Sequence, residues 1–168
     1  MVQDAAPAPV ETPQPLSTCL CWLLGRASYV LTTETTAALE GLGLSPRAHS
    51  VLVTAMTGDH TQIELARLVG LDKTTMVVTL DELEAMGLAE RRPSSEDRRA
   101  RVVAVTEAGR RKALEGNQII DRIQADVLAS LLAHERSALV DSLTSLVAGR
   151  LSEPVACAQP VRRRAPRA

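Results

Sequence analysis

Phenylalanine is missing from this sequence, and Trp22 and Tyr29 are its two large aromatic side chains. A core without aromatic rings has to be built from Leu, Val, Ile, Ala and Met, which suits helices packed on helices. Apolar residues still make up 45% of the 168, enough for one domain with tails or for a compact domain that dimerises. The 23% charged fraction fits a folded soluble protein. No apolar run approaches the ~20 residues needed to span a bilayer, so no membrane contact is expected. The first 25 residues hold no lysine and no basic stretch, which argues against a secretory signal. Cys19, Cys21 and Cys157 are too few and odd in number for a disulfide framework. A cytoplasmic location is the expectation.

The helical periods then divide the chain. Residues 1–15 carry Pro7, Pro9, Pro13 and Pro15 among Ala, Gln and Thr, the composition of a disordered tail. From Leu16, the residues Leu20, Leu23, Ala27, Val30, Leu31 and Ala38 recur at helical spacing and predict a long first helix. GLGLSP at 41–46 interrupts it, with Ser45 as cap and Pro46 as first-turn proline of a second helix that buries Val51, Leu52, Ala55 and Met56. After Gly58, TQIE at 61–64 has the capping-box spacing of Thr61 and Glu64. The short helix behind it is expected to bury Ile63, Leu65, Ala66 and Leu68 and to stop at Gly70. Asp72 caps DKTTMVVTLDELEAMG, whose inward positions are Met76, Leu80 and Leu83, and Gly87 closes it. Helix, short turn with glycine, second helix is a helix-turn-helix.

Two short β-rich runs, LAERR and RVVAVT, follow, so 88–105 reads as a hairpin. Two strands alone are marginal in water, and this pair must lean on the helices. Thr106 caps a long helix with a stripe of Ile119, Ile120, Ile123, Val127 and Leu131; a last helix carries Leu139, Val140, Leu143, Leu146 and Val147. Beyond 151 the chain becomes Pro- and Arg-rich, a basic tail over 152–168 expected to be disordered.

The hairpin turn poses its own question. Between positions 91 and 101 stand Arg91, Arg92, Arg98, Arg99 and Arg101 against Glu96 and Asp97, a local balance of +3 in a chain of net charge −1. A solvated surface is one explanation and a polyanionic partner the other. A hairpin directly after a helix-turn-helix is a wing, and arginine suits a wing that lies along phosphates or enters a minor groove. Asp97 can hold one guanidinium extended.

The run DKTTMVVTLDELEAMGLAERRPSSEDRRARVVAVTEAGR resembles the MarR family of bacterial transcriptional regulators. The shared features are the capped recognition helix, the L-E-x-x-G-L exit, the D-R-R wing tip and the V-x-V-T-x-x-G return. The resemblance covers 16–151, with the DNA-binding lobe at about 45–105. It implies a mostly α (α+β) fold, a winged helix-turn-helix with N- and C-terminal dimerisation helices. It also implies a homodimer on a pseudo-palindromic operator of double-stranded DNA, usually repressing a gene until a ligand or an oxidant releases it. No cofactor is implied.

Three groups of candidate DNA contacts emerge. Thr61 and Gln62 start the first helix of the motif, where free N–H groups favour phosphate. Lys73, Thr74, Thr75 and Val78 lie at the outward start of the recognition helix, the part that enters the major groove. Arg98 and Arg99 are the wing tip, and the resemblance makes Arg99, two residues after Asp97, the minor-groove arginine. Many relatives carry arginine where this chain has Val78. A valine can pack on a thymine methyl but cannot bond a guanine edge; alternatively Val78 is buried against the wing.

Two kinds of switch are compatible with the residues. LCWLLGRASYVLT resembles the first helix of the family's hydroperoxide-sensing branch, where a cysteine at the place of Cys21 is the sensor. The tyrosines of that branch are not matched: Gly25 and Thr35 stand at two of their places, and SPRA at 45–48 replaces a Tyr-rich stretch. A reactive thiol needs access and an acidifying neighbour, and Arg26 and Arg47 are the nearest candidates. The other switch is a small aromatic or phenolic ligand in a crevice beside the dimerisation helices, with Arg26, Arg47 and His49 as polar lining. His49, His60 and His134 lack metal-ligand spacing, so zinc sensing is not expected.

Two rival classes remain to be weighed. An enzyme would need a nucleophile set, a phosphate loop or paired carboxylates, and none is evident, so no enzyme is expected. A winged protein-interaction module that has lost DNA binding would suit the near-neutral charge and the apolar Val77 and Val78. Lys73, Thr74, Thr75, Arg98 and Arg99 speak against it.

Overall fold

The computed structural model describes residues 14–94 and 101–155. It begins with a single helical turn, α1 (Gln14–Ser17), and a long helix, α2 (Leu20–Leu39). The one helix expected from Leu16 is therefore two segments. The Cys19 N–H closes the first turn on the Leu16 carbonyl at 3.1 Å. Cys19 itself is extended, at φ −81° and ψ 103°, and forms the cap of α2. Gln14 and Pro15, expected in the tail, belong to α1; residues 1–13 and 156–168 lie outside the described residues.

A 3-10 turn over Glu40–Leu42 leads to α3 (Pro46–Ala55), where the Ser45 hydroxyl accepts from the Ala48 N–H at 3.2 Å. The helix buries Ala48, His49, Val51, Leu52 and Ala55, while Met56, expected in the buried stripe, is the half-buried cap at its end. Next come α4 (Gln62–Val69) and α5 (Lys73–Ala85), the two helices of the motif. Their caps form as the sequence spacing predicts. Thr61 and Glu64 exchange both bonds of a capping box, and Asp72 accepts from the Thr75 N–H at 2.9 Å.

One expectation about α4 fails. Ile63 is 78% exposed and Leu68 is also exposed. Leu65 is the fully buried residue of this helix, with Ala66 and Val69 half-buried beside it. At 3.6 residues per turn, Ile63 and Leu68 fall roughly 100° to either side of that inward stripe. The eight-residue helix touches α3, α5 and the strand running over 101–105 but turns only its Leu65 stripe into the core.

The wing strands are β1 (Ala89–Pro93) and β2 (Arg101–Val105), antiparallel with Ala89 opposite Val105 and Pro93 opposite Arg101. They do not stand alone. Thr61 bridges Val102, and the Val103 N–H donates to the His60 carbonyl at 2.9 Å, so β2 is stitched to the segment entering α4.

Two glycines explain the family-like spacing around the strands. Gly87 adopts φ 68°, which lets the Leu88 N–H reach back to the Leu83 carbonyl at 2.9 Å and ends α5 sharply. The helix α6 (Glu107–Ala129) starts on Thr106, whose hydroxyl accepts from the Gly109 N–H at 3.0 Å and donates to the Gly87 carbonyl at 2.8 Å. A β-carbon on Gly109 would stand 2.0 Å from the Leu88 carbonyl oxygen, so this turn of α6 can press on the wing only as glycine.

The chain divides into one unit up to Ile123 and another from Gln124. The first contains a continuous core of Leu44, Val51, Leu52, Leu65, Met76, Leu80, Leu83, Leu88, Val103 and Ala113. The second contains the end of α6 and α7 (Ala133–Ala148), and none of its described residues is buried. On α7, Leu143 and Leu146 are half-buried while Leu139, Val140 and Val147 are exposed. Along α6, Ile119 and Ile120 are half-buried, Ile123 is buried and Val127 is exposed. Similarly α2 buries only Thr35 and Leu39 among its residues and leaves Leu20, Leu23, Tyr29, Val30 and Leu31 exposed.

Candidate nucleic-acid interface

Helix α5 has two faces. Met76, Thr79, Leu80 and Leu83 are buried, and the Thr79 hydroxyl is satisfied by the Thr75 carbonyl at 2.8 Å. Opposite them Thr74 and Val78 stand exposed, and Lys73 is exposed at the first position of the helix, on the side of Met76 and Leu80. Val78 is 51% exposed, which removes the alternative that it packs under the wing. Thr75 is half-buried, and its hydroxyl donates to Asp72 Oδ2 at 2.8 Å, so the side chain works in the cap.

At the start of α4, Thr61 is also drawn inward chemically. Its N–H and its hydroxyl both donate to Glu64 Oε2, at 2.7 and 2.8 Å. Those two bonds, the backbone one first, hold the Glu64 carboxyl below its ordinary value. Gln62, half-buried at the first helical position, has its side chain outside that box.

The arginine cluster separates into parts. Arg91 donates its backbone N–H to Glu84 Oε1 at 2.8 Å, and its guanidinium bridges Glu84 and Asp81, the latter at 2.8 Å. Arg92 reaches Asp59 at 3.4 Å. These two arginines therefore bind strand β1 to the recognition helix and to the loop before α4. Arg101 is exposed on β2. Asp97, Arg98 and Arg99 lie outside the described residues. The Arg91 clamp was not read from the sequence. Its signal was the pair of acids on α5 that a strand running back past Gly87 would meet.

The candidate ligand residues do not converge. Arg26 and Arg47 are exposed on α2 and α3. His49 is 5% exposed, its Nε2 lies 3.1 Å from the Ala113 carbonyl, and its ring fills the place of a side chain at Gly116. It is a packing residue between α3 and α6. A cavity of about 600 Å³ opens instead at the corner of α2 and α3, lined by Thr33, Thr36, Ala37, Glu40, Gly43, Leu44 and Ser45. These residues carry no charge pattern apart from Glu40, which is why the sequence did not single them out. Cys21 is exposed and Cys19 half-buried; Cys157 lies outside the described residues. Among the described residues no three His, Cys, Asp or Glu side chains group as metal ligands, and no helix is long and apolar enough to cross a membrane.

A profile described as the MarR family matches residues 42–100. The chain is 30% identical to CouR from Rhodococcus jostii RHA1, solved bound to p-coumaroyl-CoA, over 81% of this chain and 96% of that one, with a TM-score of 0.73. A MarR-family transcriptional regulator from Rhodococcus sp. RHA1 is 29% identical over 81% and 99%, at a TM-score of 0.74. The transcriptional repressor CouR bound to a 23-mer DNA duplex is 26% identical over 83% and 99%, at a TM-score of 0.71.

Proposed function

The chain belongs to the MarR family and is a DNA-binding transcriptional regulator, and within that frame we propose a repressor that acts as a homodimer on a pseudo-palindromic operator and leaves it when a small ligand binds. The observation that carries this reading is the two-faced α5, with Thr74 and Val78 exposed opposite a buried face and Lys73 exposed at its first position. We assign base contact to Thr74 and Val78 and phosphate contact to Lys73 and Gln62. Thr61 and Thr75 contribute through the caps that order those helix starts. Arg98 and Arg99 supply the wing contact, Arg99 the minor-groove one, supported from Asp97. We propose no enzymatic role. A winged module without DNA binding is disfavoured by the DNA-bound relative.

The homodimer reading rests on the exposed apolar residues of α2 and α7, which a second copy would cover. The ligand reading rests on the cavity at the corner of α2 and α3, whose size lies within the ~300–1,000 Å³ usual for small-molecule sites. An aromatic acid, or its thioester as in the CouR complex, is the class we favour. Arg26 and Arg47 are exposed on the bordering helices but outside the cavity lining, so a role for them in holding its negative charge is a separate proposal. A second reading, a peroxide switch at Cys21, is favoured by the exposure of that thiol.

The test is a titration of duplex DNA at several salt concentrations. Arg99→Ala is expected to weaken binding by roughly 1–3 kcal/mol and to lower the salt slope by about one phosphate-equivalent. Unchanged affinity and slope in Arg99→Ala would remove the wing from the interface.

A further inference from the structure

The exposed stripe of α5 does not end at Val78. Thr74, Val78 and Asp81 are spaced by four and then three residues, which puts them one above another on a helix face. That face is opposite the buried Met76, Thr79, Leu80 and Leu83. The Asp81 side chain is 60% exposed. A carboxylate turned toward a groove walled by phosphates meets repulsion, so its presence there calls for a reason beyond solvation. Its charge is offset on the spot. Arg91 Nη2 stands 2.8 Å from Asp81 Oδ1, and Arg91 is itself fixed from a second side by Glu84.

The clamp leaves acceptor capacity in the right place. A carboxylate accepts through both oxygens, and among the described residues only Oδ1 of Asp81 is engaged. In the major groove the cytosine edge presents an amino donor with no acceptor beside it on the same base, whereas the adenine amino group adjoins an N7 acceptor that would repel a second carboxylate oxygen. From Thr74 to Asp81 the helix rises about 10 Å, on the order of three base-pair steps. One stripe can therefore read a run of adjacent bases.

We propose that Asp81 is a specificity-determining residue that selects a cytosine beside the base met by Val78, and that Arg91 is the positioning residue that holds its carboxylate toward the groove. The proposal rests on the DNA-binding reading above. It extends base readout to the ninth residue of the recognition helix and assigns an acid to a surface otherwise described by its cations.

Selection of binding sites from a random duplex library by the purified full-length protein tests this. The wild type is expected to enrich a half-site with cytosine at one fixed position. Asp81→Asn keeps the shape, adds a donor beside the acceptor, and is expected to shift that position toward adenine while the other positions hold. The preference for cytosine over adenine there is expected to fall roughly fivefold or more. Glu84→Gln loosens the other half of the clamp without altering the stripe, and is expected to weaken the cytosine preference part-way while the other positions hold; an unchanged preference would remove the positioning role of Arg91. A wild type and an Asp81→Asn protein that select the same half-site, the variant only weaker overall, would overturn the proposal and leave Asp81 a structural partner of Arg91. A wild type that enriches no half-site would overturn it together with the reading it rests on.

Discussion

Leu80 and Val147 are both aliphatic side chains on helices, yet Leu80 is fully buried and Val147 is 63% exposed. The contrast holds for their whole regions. The lobe from Leu44 to Ala113 closes a core of its own, whereas α2 and α7 present leucines and valines to solvent. Helices with an apolar face bury it against something in most folded proteins, and each of these helices leaves such residues exposed. The lobe is complete as a reading head. The exposed apolar residues of α2 and α7 are what the proposed homodimer would cover.

Substitutions in the lobe core should therefore have the largest effects. Leu80→Ala is expected to lower stability by roughly 2–5 kcal/mol, measured by urea unfolding at fixed protomer concentration. Gly109→Ala should be at least as severe, because the clash is with a backbone carbonyl that cannot turn aside. If either variant unfolded like the wild type, the lobe would not be the self-sufficient half of the comparison.

The ends come next. At a truly solvent-facing site, changing Leu139 and Val147 to glutamate would move stability by about 0.5 kcal/mol or less each. If a second copy covers them, the double variant Leu139→Glu, Val147→Glu should shift the protein from dimer to monomer in sedimentation at micromolar concentration. A wild-type monomer of normal stability under those conditions would break the comparison at its root.

The same contrast explains what the sequence could disclose. Caps and breaks were legible because they are local: Ser45, Thr61, Asp72 and Thr106 each bond a backbone group within a few residues. The inward stripe of α5 was legible because a helix packed on a full core keeps a clean period. Ile63 and Leu68 were misjudged because apolar character says nothing of how narrow a face the neighbour covers. His49 was taken for a lining residue because its partner, the Ala113 carbonyl, lies 64 residues away in the chain. The roles of Arg91 and Arg92 were hidden for the same reason. A charge run shows an excess but not which members are already paired across the fold.

A smaller effect separates the lobe's surface from its core. Thr61 bonds hold the exposed Glu64 carboxyl below its ordinary value, the backbone N–H first and the hydroxyl second. A depressed carboxyl contributes stability that is present above its unfolded value, about 4.3, and lost as pH falls through the lower folded value. Glu64→Gln should therefore melt earlier than the wild type at neutral pH, and the two curves should converge as pH drops below that range. A gap that stayed constant into acid would show that the cap works without the charge.

The smallest effect is expected at Cys21, on α2. If it is a sensor, near-equimolar organic peroxide should release DNA and dithiothreitol should restore binding, since sulfenic acid and disulfide are reversible stages of thiol oxidation. Access alone is satisfied, because the side chain is exposed. Access is not activation: the tyrosine partners of the peroxide-sensing branch are replaced by Gly25, Thr35 and the stretch at 45–48. No salt bridge or hydrogen bond from Arg26 or Arg47 reaches the thiol among the described residues. Cys21→Ser should thus bind DNA as the wild type does, peroxide should change little, and release should follow an aromatic acid or its thioester. Cys157→Ser should matter only if that thiol resolves an oxidised Cys21. A peroxide response at near-equimolar dose that vanishes in Cys21→Ser would reverse the assignment and make this end of the molecule a redox switch.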